Sequence, residues 1–199
     1  MRLLILGSGM MARAVAYDLT RQNDVESVIV ADQEPKQLKK LTGWLKSPKL
    51  RTVRVDVTDR PAMYRLTKEC DVAVSCVPYF YNLALTRIAI ATRTHFCDLG
   101  GNNTIVRKQL ELNNRAHRAN VTVVPDCGLA PGMVNILVAD GFSRLDQVED
   151  VRIRVGGLPR KPKPPLHYRP VFSAHGLINA YSEPCLTLRN GRRQWVEPL

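Results

Sequence analysis

Residues Leu3 to Ala12 read Leu-Leu-Ile-Leu-Gly-Ser-Gly-Met-Met-Ala, and an acid, Asp32, follows the apolar run Val28-Ile29-Val30-Ala31. An apolar run, a glycine turn, a helical stretch and a second apolar run leave few folds open. They read as a buried strand, a turn, a helix start and a second strand tipped with a carboxylate. Gly7 lets the chain turn tightly out of the first strand. Gly9, lacking a Cβ, lets the backbone approach a pyrophosphate, and Ala12 is small enough for the helix to pack on the sheet. The helix N-terminus then offers free N–H groups and a partial positive charge to phosphates. A lone glycine pattern carries little weight. A strand before it, a helix after it and an acid about 20 residues further on make it a dinucleotide-binding fingerprint. The plainer alternative is a glycine-rich turn in some other α/β protein.

The pattern continues to about Val124. Leu3–Leu6, Val28–Ala31, Leu50–Val55, Val72–Ser75, His95–Leu99 and Val121–Val124 are expected strands, apolar on both faces as strands covered by helices should be. Met10–Arg21, Pro35–Leu45, Pro61–Glu69, Tyr81–Thr92 and Ile105–Ala119 carry helical patterns, with Pro35 and Pro61 at tolerated first-turn positions. Such alternation implies an α/β fold with a doubly wound parallel (Rossmann) sheet and right-handed crossovers. After Pro125 the character changes. A turn-rich segment, Asp126 to Gly132, precedes an expected helix over Met133–Phe142. Val148–Val155 alternates like a half-buried strand, Gly156–Pro170 reads as a proline-rich loop, and Asn190-Gly191 marks a hairpin turn. The expected division is residues 1–124, an NAD-binding Rossmann domain, and 125–199, a partial α+β substrate or catalytic domain. One strand, a loop and a hairpin do not close a sheet, so a truncated protein is expected.

Bulk properties narrow the classes. The 199 residues are 45% hydrophobic, ordinary for a globular protein, and no apolar run approaches the ~20 residues of a membrane span. Arg2, and the early Arg13 and Asp18, do not make a signal peptide, so a cytoplasmic protein without a membrane partner is expected. Cys70, Cys76, Cys97, Cys127 and Cys185 are odd in number and form no Cys-x-x-Cys pair; neither a metal site nor a disulfide framework is indicated. Cys70, Cys76 and Cys97 read as small buried hydrophobes. The net charge of +11 admits a nucleic-acid surface, but no basic helix interleaved with stacking aromatics stands out. The charge suits an anionic cofactor, a carboxylate substrate or solubility equally well.

Asp32 speaks to cofactor choice. A carboxylate there accepts hydrogen bonds from the ribose hydroxyls of NAD and repels a 2′-phosphate. Neither Gln33 nor Glu34 is basic, and Lys36, Lys39 and Lys40 read as solvated, so NAD is expected over NADP. An Asp capping the turn before Pro35 is the alternative. Asp56-Val57, Ser75-Cys76-Val77-Pro78 and Gly100 end successive strands at the edge where open α/β sheets bind ligands. With Gly7, Ser8, Gly9, Met10, Met11 and Asp32 they form the expected cofactor site; each also reads as an ordinary strand-to-helix turn.

Six stretches, in this order, resemble one family. They are Gly7-Ser8-Gly9-Met10-Met11-Ala12, Ser75-Cys76-Val77-Pro78-Tyr79, Asp98-Leu99-Gly100-Gly101, Cys127 to Met133, Val155-Gly156-Gly157-Leu158-Pro159, and Phe172-Ser173 through Gly176-Leu177-Ile178-Asn179 to Tyr181. The chain resembles the saccharopine dehydrogenase-like group, and within it the lysine 6-dehydrogenases, over nearly its whole length. Where those relatives often carry acids, this chain has His175 and Ala180. The resemblance implies hydride transfer from an amine-bearing carbon of an amino-acid substrate to the nicotinamide; a homo-oligomer is a further expectation. The amine must lose its proton first, so a base is needed. His175 has a suitable intrinsic pKa, though a packed or solvent-facing histidine is the plainer reading; Asp126 and Tyr168 are further catalytic candidates. Arg169 could pair with a substrate carboxylate. Rival readings are a saccharopine or carboxynorspermidine dehydrogenase-type enzyme, a shortened NAD-binding protein without turnover, and a methyltransferase using S-adenosylmethionine.

Overall fold

The computed structural model describes residues 1–165, 167–168 and 174–198, except the side chain of His175. The first strand, β1 (Arg2–Leu6), leads through the glycine turn into α1 (Met10–Leu19) and back to β2 (Ser27–Asp32). Then follow α2 (Pro35–Leu45), β3 (Leu50–Arg54), α3 (Arg60–Lys68), β4 (Val72–Ser75), a 3-10 turn (Tyr79–Tyr81), α4 (Asn82–Thr92) and β5 (His95–Asp98). After α5 (Asn103–Leu110), α6 (Asn113–Ala119) and β6 (Val123–Val124), the chain continues as α7 (Met133–Arg144), α8 (Ala174–Ser182), β7 (Cys185–Arg189) and β8 (Arg192–Val196).

Local chemistry sets several boundaries. Pro35 stands in the first turn of α2, where its missing N–H costs nothing. Asp59 caps α3, accepting the Ala62 N–H at 3.0 Å. Asn102 does the same for α5 through Ile105.

The six strands β1 to β6 pair in parallel in the order β3-β2-β1-β4-β5-β6. The strand order reverses between β1 and β4, and the carboxyl ends there frame the crevice where such sheets hold ligands. Two apolar clusters cover the sheet: Leu4, Leu6, Ile29, Met63, Leu85, Ile88 and Phe96 in one, Leu3, Ile5, Val28, Val30, Leu38 and Leu41 in the other. A third, smaller one joins Ile90, Leu112, Ala116 and Val121. Among the described residues nothing beyond Val121 is fully buried.

The expected parallel α/β sheet is present; several details differ. The helical pattern over 105–119 is two helices: α5 stops at Leu110, Glu111 and Leu112 make the turn, and Asn113 and Asn114, poor helix formers in a helix interior, take the first positions of α6. Val148–Val155 is not a strand. Its Val151, Ile153 and Val155 are about half exposed, and among the described residues no strand pairs with the segment. β6 shrinks to two residues. α8 falls where no helix was anticipated. The Asn190-Gly191 hairpin forms, with Asn190 and Gly191 both at positive φ between antiparallel β7 and β8.

Candidate functional site

The glycine loop is built as the sequence requires. Gly7 has φ +95, and a Cβ there would sit 3.1 Å from the Cys76 carbonyl oxygen, so loop and β4 end meet only through a residue without a side chain. The Gly7 N–H donates to Ala31 O at 2.7 Å and the Cys76 N–H to Leu6 O at 2.8 Å, which fixes the loop between β2 and β4. Nothing lies within 4 Å of a Cβ built on Gly9. As N-cap of α1, Gly9 supplies no side-chain acceptor, leaving the first-turn N–H groups to a ligand. Met10 and Met11 flank this turn, exposed.

Asp32 closes the loop from the other side. Its Oδ2 accepts the Ser8 backbone N–H at 2.7 Å and the Ser8 hydroxyl at 2.6 Å. Its Oδ1 accepts the Glu34 N–H at 2.8 Å. The carboxylate therefore fastens the glycine loop to the end of β2, with most of its acceptor capacity spent inside the protein. Its register neighbour on β3 is the exposed Arg54.

The other expected cofactor contacts divide. Val77 packs beside Gly7, its Cγ1 3.4 Å from a Cβ built there, and Pro78 begins the 3-10 turn, its carbonyl accepting Tyr81 N–H. Asp56, followed by Val57, turns its Oδ1 onto the Thr58 N–H and hydroxyl, which hold its carboxyl below the usual range. Ser75 is buried and donates its hydroxyl to Asn82 Oδ1 at 2.7 Å, tying β4 to α4. Burial pushes the Cys76 thiol up to about 12 and the Cys97 thiol to about 11, so both stay protonated. Cys70, the most buried of the three expected hydrophobe-like thiols, is raised to about 11 by the same cause.

The end of β5 carries a buried network that the sequence pattern does not announce. Asp98 is fully buried; its Oδ1 accepts the Gly100 N–H and its Oδ2 accepts Gln109 Nε2 at 2.7 Å. Gln109 Nε2 also reaches Thr86 Oγ1, while its Oε1 has no partner. This network shapes the Gly100-Gly101 turn, and Asp126 sits against it. A Cβ on Gly100 would collide with Asp126 Oδ1, so glycine is required for that approach as well as for its φ of +71. Asp126 is itself left-handed, at φ +59. Burial first, then the Asp98 and Glu183 carboxylates, raise its pKa against a stabilising hydrogen bond from the Gly101 N–H. Beyond it, Asn179 on α8 donates to the Gly101 carbonyl at 2.7 Å and accepts from Asn102 Nδ2, fastening α8 to the same turn.

Of the expected catalytic residues, Asp126 lies at this edge. Tyr168 is exposed in an irregular segment, and no hydrogen bond among the described residues joins it to Asp126. His175 lies on α8 with its side chain outside the described residues, as is Arg169. Among the described residues no helix is long and apolar enough to cross a membrane.

Comparison with known proteins agrees with this architecture and corrects one expectation. The family model described as the saccharopine dehydrogenase NADP binding domain matches residues 3–124, and that of the saccharopine dehydrogenase C-terminal domain matches residues 128–199. The Saccharomyces cerevisiae protein named saccharopine dehydrogenase [NADP(+), L-glutamate-forming] is 25% identical over 98% of this chain and 42% of its own length. Mouse mitochondrial alpha-aminoadipic semialdehyde synthase is 25% identical over 96% of this chain and 21% of its own. The chain thus spans about two fifths or less of these curated relatives. The apo structure of histidine-tagged saccharopine dehydrogenase (L-Glu forming) from Saccharomyces cerevisiae superimposes with a TM-score of 0.71, at 24% identity, over 98% of this chain and 44% of that one. The expectation of NAD with NADP less favoured is overturned: the matching domain is described as NADP binding and the yeast relatives are named for NADP(+). In the structure the Asp32 carboxylate is engaged by the Ser8 N–H and hydroxyl, so its position after β2 does not by itself mark it as a ribose acceptor. By fold and by family match over both of its parts, this chain belongs to the saccharopine dehydrogenase family.

Proposed function

We propose that the chain supplies the NADP(H)-binding half and part of the substrate half of an oxidoreductase that acts on the amine-bearing carbon of an amino acid. The observation that carries the reading is the uncapped start of α1 behind Gly7 and Gly9, at the same carboxyl edge of the parallel sheet as the turn where Gly100 and Asp126 meet. The residues present suit a dinucleotide: open space before Gly9, free first-turn N–H groups, and Arg54 beside Asp32 as the cation for a 2′-phosphate. When bound, the cofactor supplies the hydride acceptor. Asp126, its pKa raised, holds or accepts the proton that the substrate amine must lose before hydride leaves its carbon. The resulting imine is hydrolysed by water. The Asp98–Gln109 network keeps the Gly100 turn, and so Asp126, in place. A cytoplasmic setting accords with five free cysteines.

Within this class a secondary amine of the saccharopine type is favoured by the relatives' names, and the primary amine of lysine, as in lysine 6-dehydrogenases, is the second reading, favoured by the late motifs around Gly156-Gly157. The purified chain is titrated with NADPH by fluorescence, then assayed for NADP+ reduction with saccharopine and with L-lysine. Saturable NADPH binding that Arg54→Ala weakens is the expected result. Turnover with L-lysine alone moves the assignment to the second reading, and absence of NADPH binding overturns both.

A further inference from the structure

A second pocket lies away from the glycine loop, where α5 faces the β7–β8 hairpin. It measures about 240 Å³ and is walled by Asn103, Thr104 and Arg107 on one side and Glu183, Trp195 and Glu197 on the other. No residue of the candidate active site lines it. The Arg107 guanidinium lies 4.4 Å from the centre of the Trp195 ring, and it joins none of the ion pairs among the described residues. Glu183 uses Oε2 to accept the Asn103 N–H at 3.2 Å and Asn179 Nδ2 at 3.0 Å, which leaves Oε1 to the pocket. Glu197 makes no hydrogen bond or ion pair among the described residues.

One cation and two carboxylates thus line a small open groove without neutralising one another. Their complement is a molecule with one carboxylate and two ammonium groups. At about 240 Å³ the groove has room for an unbranched amino acid. Trp195 offers an apolar wall for the methylenes, and Thr104 a hydroxyl. We propose that this pocket is a binding site for a diamino monocarboxylic acid, its carboxylate on Arg107 and its ammonium groups on Glu183 and Glu197. Asn179 bonds both Glu183 and the Gly101 carbonyl, so a ligand here braces α8 against the turn under Asp126. The pocket is distinct from the glycine-loop crevice, and it shares Glu183 with the surroundings of Asp126.

Its test reads Trp195 and not turnover. Trp44→Phe leaves Trp195 as the remaining one of the chain's two tryptophans, and this protein is titrated with L-lysine and with L-ornithine while its emission is followed. A saturable change is expected. L-Norleucine, without the side-chain amine, and cadaverine, without the carboxylate, should each need about tenfold more ligand, and Arg107→Gln or Glu197→Gln should shift half-saturation equally, with unchanged circular dichroism. Asp126→Asn, which removes a carboxylate that interacts with Glu183, should shift half-saturation much less than Arg107→Gln or Glu197→Gln does. Should Trp44→Phe fail to fold, calorimetry on the unaltered chain replaces emission with the same variants. No saturable signal at millimolar ligand overturns the proposal. So does binding indifferent to Arg107→Gln and Glu197→Gln, or binding lost only in Asp126→Asn, which puts the ligand in the candidate active site.

Discussion

At the scale of single residues, Asp126 and Asp32 show how one residue type does opposite work. Asp126 has a raised pKa because burial and two neighbouring carboxylates disfavour its charge. A carboxyl whose folded pKa is raised stabilises the fold below the unfolded value, and that contribution is lost as pH rises through the folded pKa. Asp126→Asn keeps an oxygen for the Gly101 N–H and discards the charge. Melting curves of parent and variant should therefore coincide near about pH 3 and separate in favour of the variant toward about pH 7; curves that separate the other way refute the burial argument. Asp32 instead carries charge-assisted hydrogen bonds from Ser8 and Glu34. Asp32→Ala should cost ~1–2 kcal/mol in urea unfolding, because a half-buried carboxylate and the donors it satisfies are both lost. Equal stability would mean that Ser8 finds water as readily. The glycine pattern and the acid were legible in the sequence; the acid's employment was not, since nothing in the spacing of Gly7, Gly9 and Asp32 tells whether the carboxylate faces a ribose or Ser8.

Among elements, legibility follows burial. Strands β1, β2 and β4 declare themselves as short apolar runs bounded by turns, because helices cover both faces of the sheet there, whereas the edge strand β3 carries Arg51 and Arg54 among its apolar residues. Where a segment's state depends on a partner, pattern misleads. The alternation of Val148–Val155 describes a strand with one wet face, but alternation supplies no neighbour to pair with. The break between α5 and α6 escapes for a different reason: Gln109, Leu112 and Ala116 keep one face across it, so the helical period runs on through the turn at Glu111 and Leu112. That face matters. Gln109 leaves α5 to hold the fully buried Asp98 of β5 and Thr86 of α4 in one network. Gln109→Leu keeps the volume and removes the donor, so it should destabilise by about 2–3 kcal/mol, moderated because the orphaned Oε1 disappears as well. Urea curves with a lower midpoint and the same slope would support this. An unchanged midpoint would mean that water already serves Asp98.

The whole molecule divides its stability unevenly. All three apolar clusters are drawn from residues before Pro125, and the residues of α7 that a core would claim, Met133, Ile136, Leu137 and Phe142, are half or more exposed. Local opening costs little where few apolar contacts are buried, whereas strands inside a packed sheet open only with global unfolding. The free energy of opening should therefore fall steeply past Val121. Hydrogen exchange on the 199-residue chain should show its slowest amides in β1, β2 and β4, with α7 and the β7–β8 hairpin exchanging orders of magnitude faster. Limited proteolysis should cut first in the irregular stretch between residues 145 and 165 and leave an N-terminal fragment that still binds NADPH, because the glycine loop, Asp32 and Arg54 all lie within it. Adding NADPH should protect the β1 and β2 amides without slowing that first cut, since the ligand binds the part that is already closed. Amides of α7 as slow as those of β1 would show that the second half carries a core of its own, and the uneven division would be wrong.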